Sequence, residues 1–177
     1  GNNANVKCPC CESVLPGNKK NPRTSIQLAA QHGGADVVFD EKGHRVGGAR
    51  MLAVVTTESG RQGRRYRLPV PNDYEAVHAS HARLTKLLGD WERDGKRGPC
   101  PVPDEPLPPP GTLGFRVQRY GMLKWGDLFT ARQKVVLVRL IEMLAASTAE
   151  DCRLVLACAL SRVAMSGMSC TRWNAVA

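Results

Sequence analysis

Aromatic residues are scarce, with Phe, Trp and Tyr together making up 5% of the 177 residues. That excludes an aromatic core and leaves an aliphatic one. Long hydrophobic runs are lacking too. The longest, Val135 to Ala146, is interrupted by Arg139 and Glu142 and falls short of the roughly 18–20 apolar residues that a membrane helix needs. The start, Gly1-Asn2-Asn3-Ala4-Asn5-Val6-Lys7, holds no apolar signal core, which argues against secretion. The seven cysteines form no regular framework, so reduced thiols and a cytoplasmic setting are expected. The chain contains no G-x-S-x-G, H-E-x-x-H, G-x-x-x-x-G-K-[ST] or G-x-G-x-x-G pattern. No catalytic residue is therefore assigned.

What is present is ordinary globular material, with 42% hydrophobic and 23% charged residues. The length fits one domain, or one with a small appendage. Seventeen Gly and twelve Pro make the chain loop-rich. The net charge of +9 favours anionic partners such as DNA. It is unevenly spread: residues 1–70 carry +6, residues 71–104 carry −1 and residues 105–177 carry +4.

Four regions follow: a cysteine-bearing, basic β-hairpin region over 1–70, a helix within 71–97, a Pro-rich linker or surface strap over 98–114, and a helical region over 115–177. Thr24-Ser25-Ile26-Gln27 has capping-box spacing, with Gly33-Gly34 as a stop. Val37-Val38-Phe39 reads as a strand, and Met51–Thr57 and Arg64–Leu68 read as a strand pair with Arg65 and Arg67 on one face. Asn72-Asp73-Tyr74-Glu75 opens a helix expected to reach Leu88. Thr130-x-x-Gln133 and Ser147-x-x-Glu150 open two strongly apolar helices, expected to pair as an antiparallel αα-hairpin. Both are apolar around most of their circumference, so cover on more than one side is expected. The fold class is α+β: a small antiparallel sheet with half a zinc ribbon, then helices ending in that hairpin.

Two clusters can carry function. Cys8 and Cys11 have the spacing of a zinc knuckle, which needs two more ligands. His32 or His44, or a partner knuckle elsewhere, would complete it, and a free thiol pair is the alternative. Arg61, Arg64, Arg65 and Arg67 form a basic ribbon suited to phosphates, or simply a solvated face. His78 and His81 are expected to be a surface pair, and Gly33-Gly34 and Gly47-Gly48 to be turns. Trp125 to Phe129 is either a recognition surface or, preferably, a hydrophobic staple in which Phe129 folds onto the helix start.

The stretch Gly114-Phe115-Arg116-Val117-Gln118-Arg119-Tyr120-Gly121-Met122, continuing Trp125-Gly126-Asp127-Leu128-Phe129-Thr130-x-Arg132-Gln133, resembles a signature of large bacterial adenine-specific DNA methylases that contain a zinc ribbon. Gly33 to Glu41, Gly47 to Val55 and the tail Ser166 to Asn174 extend the resemblance over nearly the whole chain. It implies a parent several times longer. That parent's S-adenosylmethionine loop precedes this region, and its Asp/Asn-Pro-Pro-Tyr motif follows. Neither occurs here, and Pro108-Pro109-Pro110 does not match the latter. The resemblance also places a first C-x-x-C knuckle upstream, making Cys8 and Cys11 the second knuckle of a split ribbon. The implied role is a non-catalytic segment that helps hold or orient DNA. A structural module docking onto the rest of the parent methylase is the alternative.

Overall fold

A computed structural model describes residues 5–8, 11–18, 21–22, 26, 29–30, 33–60, 62–112, 116–146 and 150–167. Its strands precede its long helices, an α+β arrangement. β1 (Asn5–Lys7), β2 (Val14–Asn18) and β3 (Asn21–Pro22) form an antiparallel sheet in that order. β4 (Val37–Phe39) pairs antiparallel with β5 (Arg45–Gly48), and β6 (Val54–Thr56) with β7 (Arg65–Arg67). Among the described residues three α-helices follow: α1 (Pro71–Arg93), α2 (Ala131–Ala145) and α3 (Glu150–Gly167). The proposed helix start at Thr24–Gln27 and residues 147–149 of the Ser147 box lie largely or wholly outside the described residues. Among the described residues no helix is long and apolar enough to cross a membrane.

Local chemistry explains the elements. The β4–β5 turn is tied by Asp40, whose Oδ1 accepts from the backbone N–H of Lys42 at 3.0 Å and of His44 at 2.7 Å. α1 starts at Pro71, one residue before the expected Asn72. Pro suits the first helical position because the N–H it lacks would be unpaired there. Asp73 Oδ2 accepts from the Val70 N–H at 2.7 Å, supplying the cap from inside the first turn. The helix also passes Leu88 and Gly89, ending near Gly95 with φ of +76°. α2 has the full capping box: Gln133 Oε1 accepts from the Thr130 N–H at 2.8 Å, and Thr130 Oγ1 accepts from the Gln133 N–H at 3.4 Å.

The core lies where β4, α1, α2 and the Pro-rich segment converge, and contains Val37, Val77, Leu107, Leu128, Ala131 and Val138. The Pro-rich stretch is a strap rather than a free linker. The Leu107 N–H donates to the Leu123 carbonyl at 2.7 Å, and the Trp125 and Gly126 N–H groups donate to Glu105 and Pro103 at 3.1 and 2.9 Å. Gly47 and Gly48 are not a turn, as expected, but part of β5 opposite Val38 and Val37. Gly48 is required there. Its φ is +66°, and a Cβ would sit 2.3 Å from the Asp36 carbonyl oxygen. α2 and α3 pack together, and Gln133 at the start of α2 donates its side-chain amide to the carbonyl of Gly167 at the end of α3.

Candidate functional site

Cys8 directly follows β1, and Cys11 lies in the turn that leads to β2. The turn is closed by the Glu12 N–H donating to the Cys8 carbonyl at 3.0 Å and the Cys8 N–H donating to the Ser13 carbonyl at 2.9 Å. Glu12 takes a left-handed conformation, φ +60°, which lets the chain reverse immediately after Cys11. Lys7 and Glu12 clasp the turn through an ion pair of 3.0 Å. The Cys11 thiol lies 3.2 Å from the Ser13 hydroxyl. Hydrogen bonds from the Ser13 side chain, then the Ser13 backbone and Cys8, hold its pKa below the usual thiol value. That favours the thiolate, the form a metal takes. Two sulfurs on one tight turn fit half of a tetrahedral zinc site. Among the described residues no cluster of three or more His, Cys, Asp or Glu is arranged to hold a metal. His32 lies outside the described residues. His44 is engaged by Asp40, with its Nδ1 3.4 Å from Oδ2.

The basic ribbon is present as a two-stranded hairpin, with Val54 opposite Arg67, Val55 opposite Tyr66 and Thr56 opposite Arg65. Arg61 lies outside the described residues. The others are not simply displayed. Arg67 forms a fork on Asp73, with Nη1 to Oδ2 and Nη2 to Oδ1 both at 2.7 Å, and this clamps the ribbon to the start of α1. Arg65 meets Glu58 at 3.2 Å but keeps 58% of its side chain exposed. Arg64 is half-buried. The opposite face is apolar and open, with Tyr66 at 57% and Leu68 at 79% exposure.

A third constellation escaped the sequence reading. Asp36 is 7% exposed, and its two carboxylate oxygens accept from different elements. Oδ1 takes the Val37 N–H at 2.9 Å, and Oδ2 takes the N–H of Ala131, the first residue of α2. His81 brings Nε2 to 3.2 Å from Oδ1 without hydrogen-bond geometry. His78 and His81 are not a plain surface pair, since both set their rings edge-on against Phe39, with centroids 5.1 and 5.3 Å away. Their spacing of three puts both on the α1 face that meets β4. Together with Asp40 and Lys134 these groups line a polar cleft of about 550 Å³. Chemically, the Asp36 carboxylate is already committed as a cap on α2, where a negative charge complements the helix dipole. The only sequence signal was its place between Gly33-Gly34 and an apolar strand.

The residues of the quoted signature also do structural work. Asp127 Oδ2 accepts from the N–H groups of Leu123 and Lys124 at 2.8 and 2.9 Å, and the Asp127 carbonyl accepts from Ala35 at 3.1 Å. Residues 113–115 of that signature and its tail from 168 lie outside the described residues. Comparison with protein-family models, with curated proteins and with solved structures finds no match.

Proposed function

We propose that this chain is a non-catalytic internal segment of an S-adenosylmethionine-dependent, adenine-specific DNA methyltransferase, and that it docks onto the remainder of that parent through the outer faces of α2 and α3. The observation that carries the docking role is the exposure of apolar side chains on both helices. Leu140, Ile141 and Met143 on α2 are 39%, 53% and 58% exposed, and Leu154, Val155 and Met165 on α3 are 72%, 68% and 62% exposed. Helices apolar on several sides are normally covered on several sides. The methylase assignment rests on the sequence resemblance. No step of methyl transfer is assigned to residues of this chain. Cys8 and Cys11 would supply one knuckle of a zinc ribbon whose other ligands come from the parent.

Nucleic-acid contact through the ribbon is the second reading, favoured by the exposure of Arg65 within its ion pair. The two readings separate by salt. Docking predicts that the isolated chain self-associates with little salt dependence, whereas phosphate binding weakens steeply as salt rises. Sedimentation across concentration and salt, beside DNA binding by wild type and an Arg64→Ala, Arg65→Ala variant, reads both. A chain that stays monomeric at all concentrations sinks the docking role. DNA binding unchanged in the variant sinks the ribbon role. Flanking coding sequence without a Gly-rich loop upstream and Asp/Asn-Pro-Pro-Tyr downstream sinks the methylase assignment.

A further inference from the structure

The segment from Arg116 to Trp125 displays large apolar side chains on a backbone that is tied down at several points. Tyr120 is 50% exposed, Leu123 53% and Trp125 38%. The two aromatic residues belong to short 3₁₀ helices, Val117–Tyr120 and Trp125–Leu128. The loop between them is closed on adjacent residues of the Pro-rich strap. Gln118 donates its side-chain amide to the Pro108 carbonyl at 2.7 Å, and the Leu107 N–H donates to the Leu123 carbonyl at 2.7 Å. Asp127 Oδ2 fixes the N–H groups of Leu123 and Lys124, and the Glu105 carbonyl fixes that of Trp125. Tyr120 and Trp125 are five residues apart in sequence, so they lie within about 18 Å of each other. Arg116, Arg119 and Lys124 stand in the same segment, which has no acidic residue. All three are exposed and, among the described residues, none takes part in an ion pair. The ribbon differs, since Arg65 and Arg67 are engaged by Glu58 and Asp73.

We propose that this patch binds unpaired nucleic acid, with bases stacking on Tyr120 and Trp125 and phosphates meeting Arg116, Arg119 and Lys124. Every base offers a π face that stacks on an exposed aromatic ring, and each such stack changes affinity about 5-fold to 100-fold. Rings already held on a fixed backbone lose little freedom when a base covers them. The cations select the partner. An apolar protein surface would leave three positive charges without a match, whereas a nucleic-acid backbone meets each with a phosphate. Asp104 and Glu105 of the strap border the Trp125 end of the patch, where the Glu105 carbonyl accepts from Trp125. The phosphates are therefore expected to run along the Arg116 and Arg119 side. A closed duplex hides its base faces, so preference for single strands is the distinguishing property. No residue of the ribbon or of α2 and α3 is used, and the proposal does not rest on the methylase reading.

The test uses the full chain with fluorescein-labelled oligothymidylate and oligouridylate of about 12 nucleotides and a DNA duplex of the same length, read by anisotropy at several salt concentrations. At least one single strand, DNA or RNA, should bind more tightly than the duplex. Tyr120→Ala and Trp125→Ala should each weaken that binding at least about 5-fold, while Tyr120→Phe, which keeps the ring, binds as wild type. Arg119→Ala combined with Lys124→Ala should weaken it and reduce the salt slope by about 1.4, two phosphate contacts at about 0.7 each. The Arg64→Ala, Arg65→Ala chain should bind the single strand as wild type does. No single-strand binding at low salt, equal or tighter binding of the duplex, or unchanged binding by both aromatic-to-Ala variants overturns the proposal. So does a loss confined to the Arg64→Ala, Arg65→Ala chain, because the contact then belongs to the ribbon.

Discussion

Replacing Asp36 with Ala should be among the most damaging single changes to this chain, although the residue touches no exposed patch. The carboxylate joins β4 to α2 across 95 positions of sequence by accepting from Val37 and Ala131. Ala131 is 0% exposed, so its N–H has no water to turn to. A buried donor left without an acceptor costs about 1–3 kcal/mol, more where the lost acceptor is charged. Loss of negative charge at the α2 N-terminus adds about 0.3–1 kcal/mol. The sum is about 3 kcal/mol, a large fraction of the stability of any small domain. Asp36→Asn should recover little, because one amide oxygen cannot serve two N–H groups on opposite sides, and the NH₂ would face a donor. Thr130→Ala removes only the local side-chain cap of the same helix and should cost about 1 kcal/mol. Urea unfolding of the three variants, with equal m-values as the check that one transition is compared, gives the ranking. If Asp36→Ala is no worse than Thr130→Ala, the long-range cap is not what holds α2 to the β4 hairpin.

Two further substitutions probe the same assembly. Leu107→Ala should cost about 2–5 kcal/mol by urea unfolding, because the side chain is 7% exposed and is the strap's anchor in the core; a loss near zero would mean that the strap is merely draped over the surface. Gly48→Ala should destabilise far more than Gly60→Ala. Both positions have positive φ, but a Cβ at Gly48 meets the Asp36 carbonyl oxygen at 2.3 Å and one at Gly60 meets nothing within 4 Å; equal thermal shifts for the two would show that space is not the constraint.

The features legible in the sequence were those written locally. The Thr130-x-x-Gln133 box marks the start of α2 because both of its hydrogen bonds close within four residues. The α1 start is displaced by one residue because Pro71 fixes the backbone before Asn72 can act, and the acidic side chain that serves the cap sits at Asp73 instead. The ribbon was expected over Met51–Thr57 and Arg64–Leu68, but pairing extends only over Val54–Thr56 and Arg65–Arg67. What stayed hidden depends on partners far apart in sequence. Nothing near Asp36 announces Ala131, and nothing in a run of prolines announces that Leu107 enters the core. The histidines illustrate the same limit, since a spacing of three specifies a shared face but not the Phe39 ring that the face meets.

The Arg67–Asp73 fork decides how far the ribbon's charge is available to a phosphate, and its strength can be read from acid. The Asp73 pKa is lowered from 3.8 to about 2, first by the hydrogen bonds from Arg67 and then by the one from the Val70 N–H. A carboxylate whose pKa is lower in the folded than in the unfolded chain stabilises the fold above the unfolded value. That contribution fades as pH falls through the folded value. The stabilisation from Asp73 should therefore be complete above about pH 4 and be lost between there and about pH 2. Asp73→Asn should flatten that part of the acid-unfolding profile relative to wild type and loosen the ribbon from α1. Carboxyl NMR titration measures the group directly. An Asp73 that titrates near 3.8 would show that the guanidinium is not held. Arg67 would then be as open to phosphate as Arg65, and the nucleic-acid reading of the ribbon would be strengthened. An Asp73 that titrates near 2 means that a phosphate reaches Arg67 only by displacing a two-pronged internal partner. The ribbon's contact with DNA would then have to come from Arg65 and its neighbours.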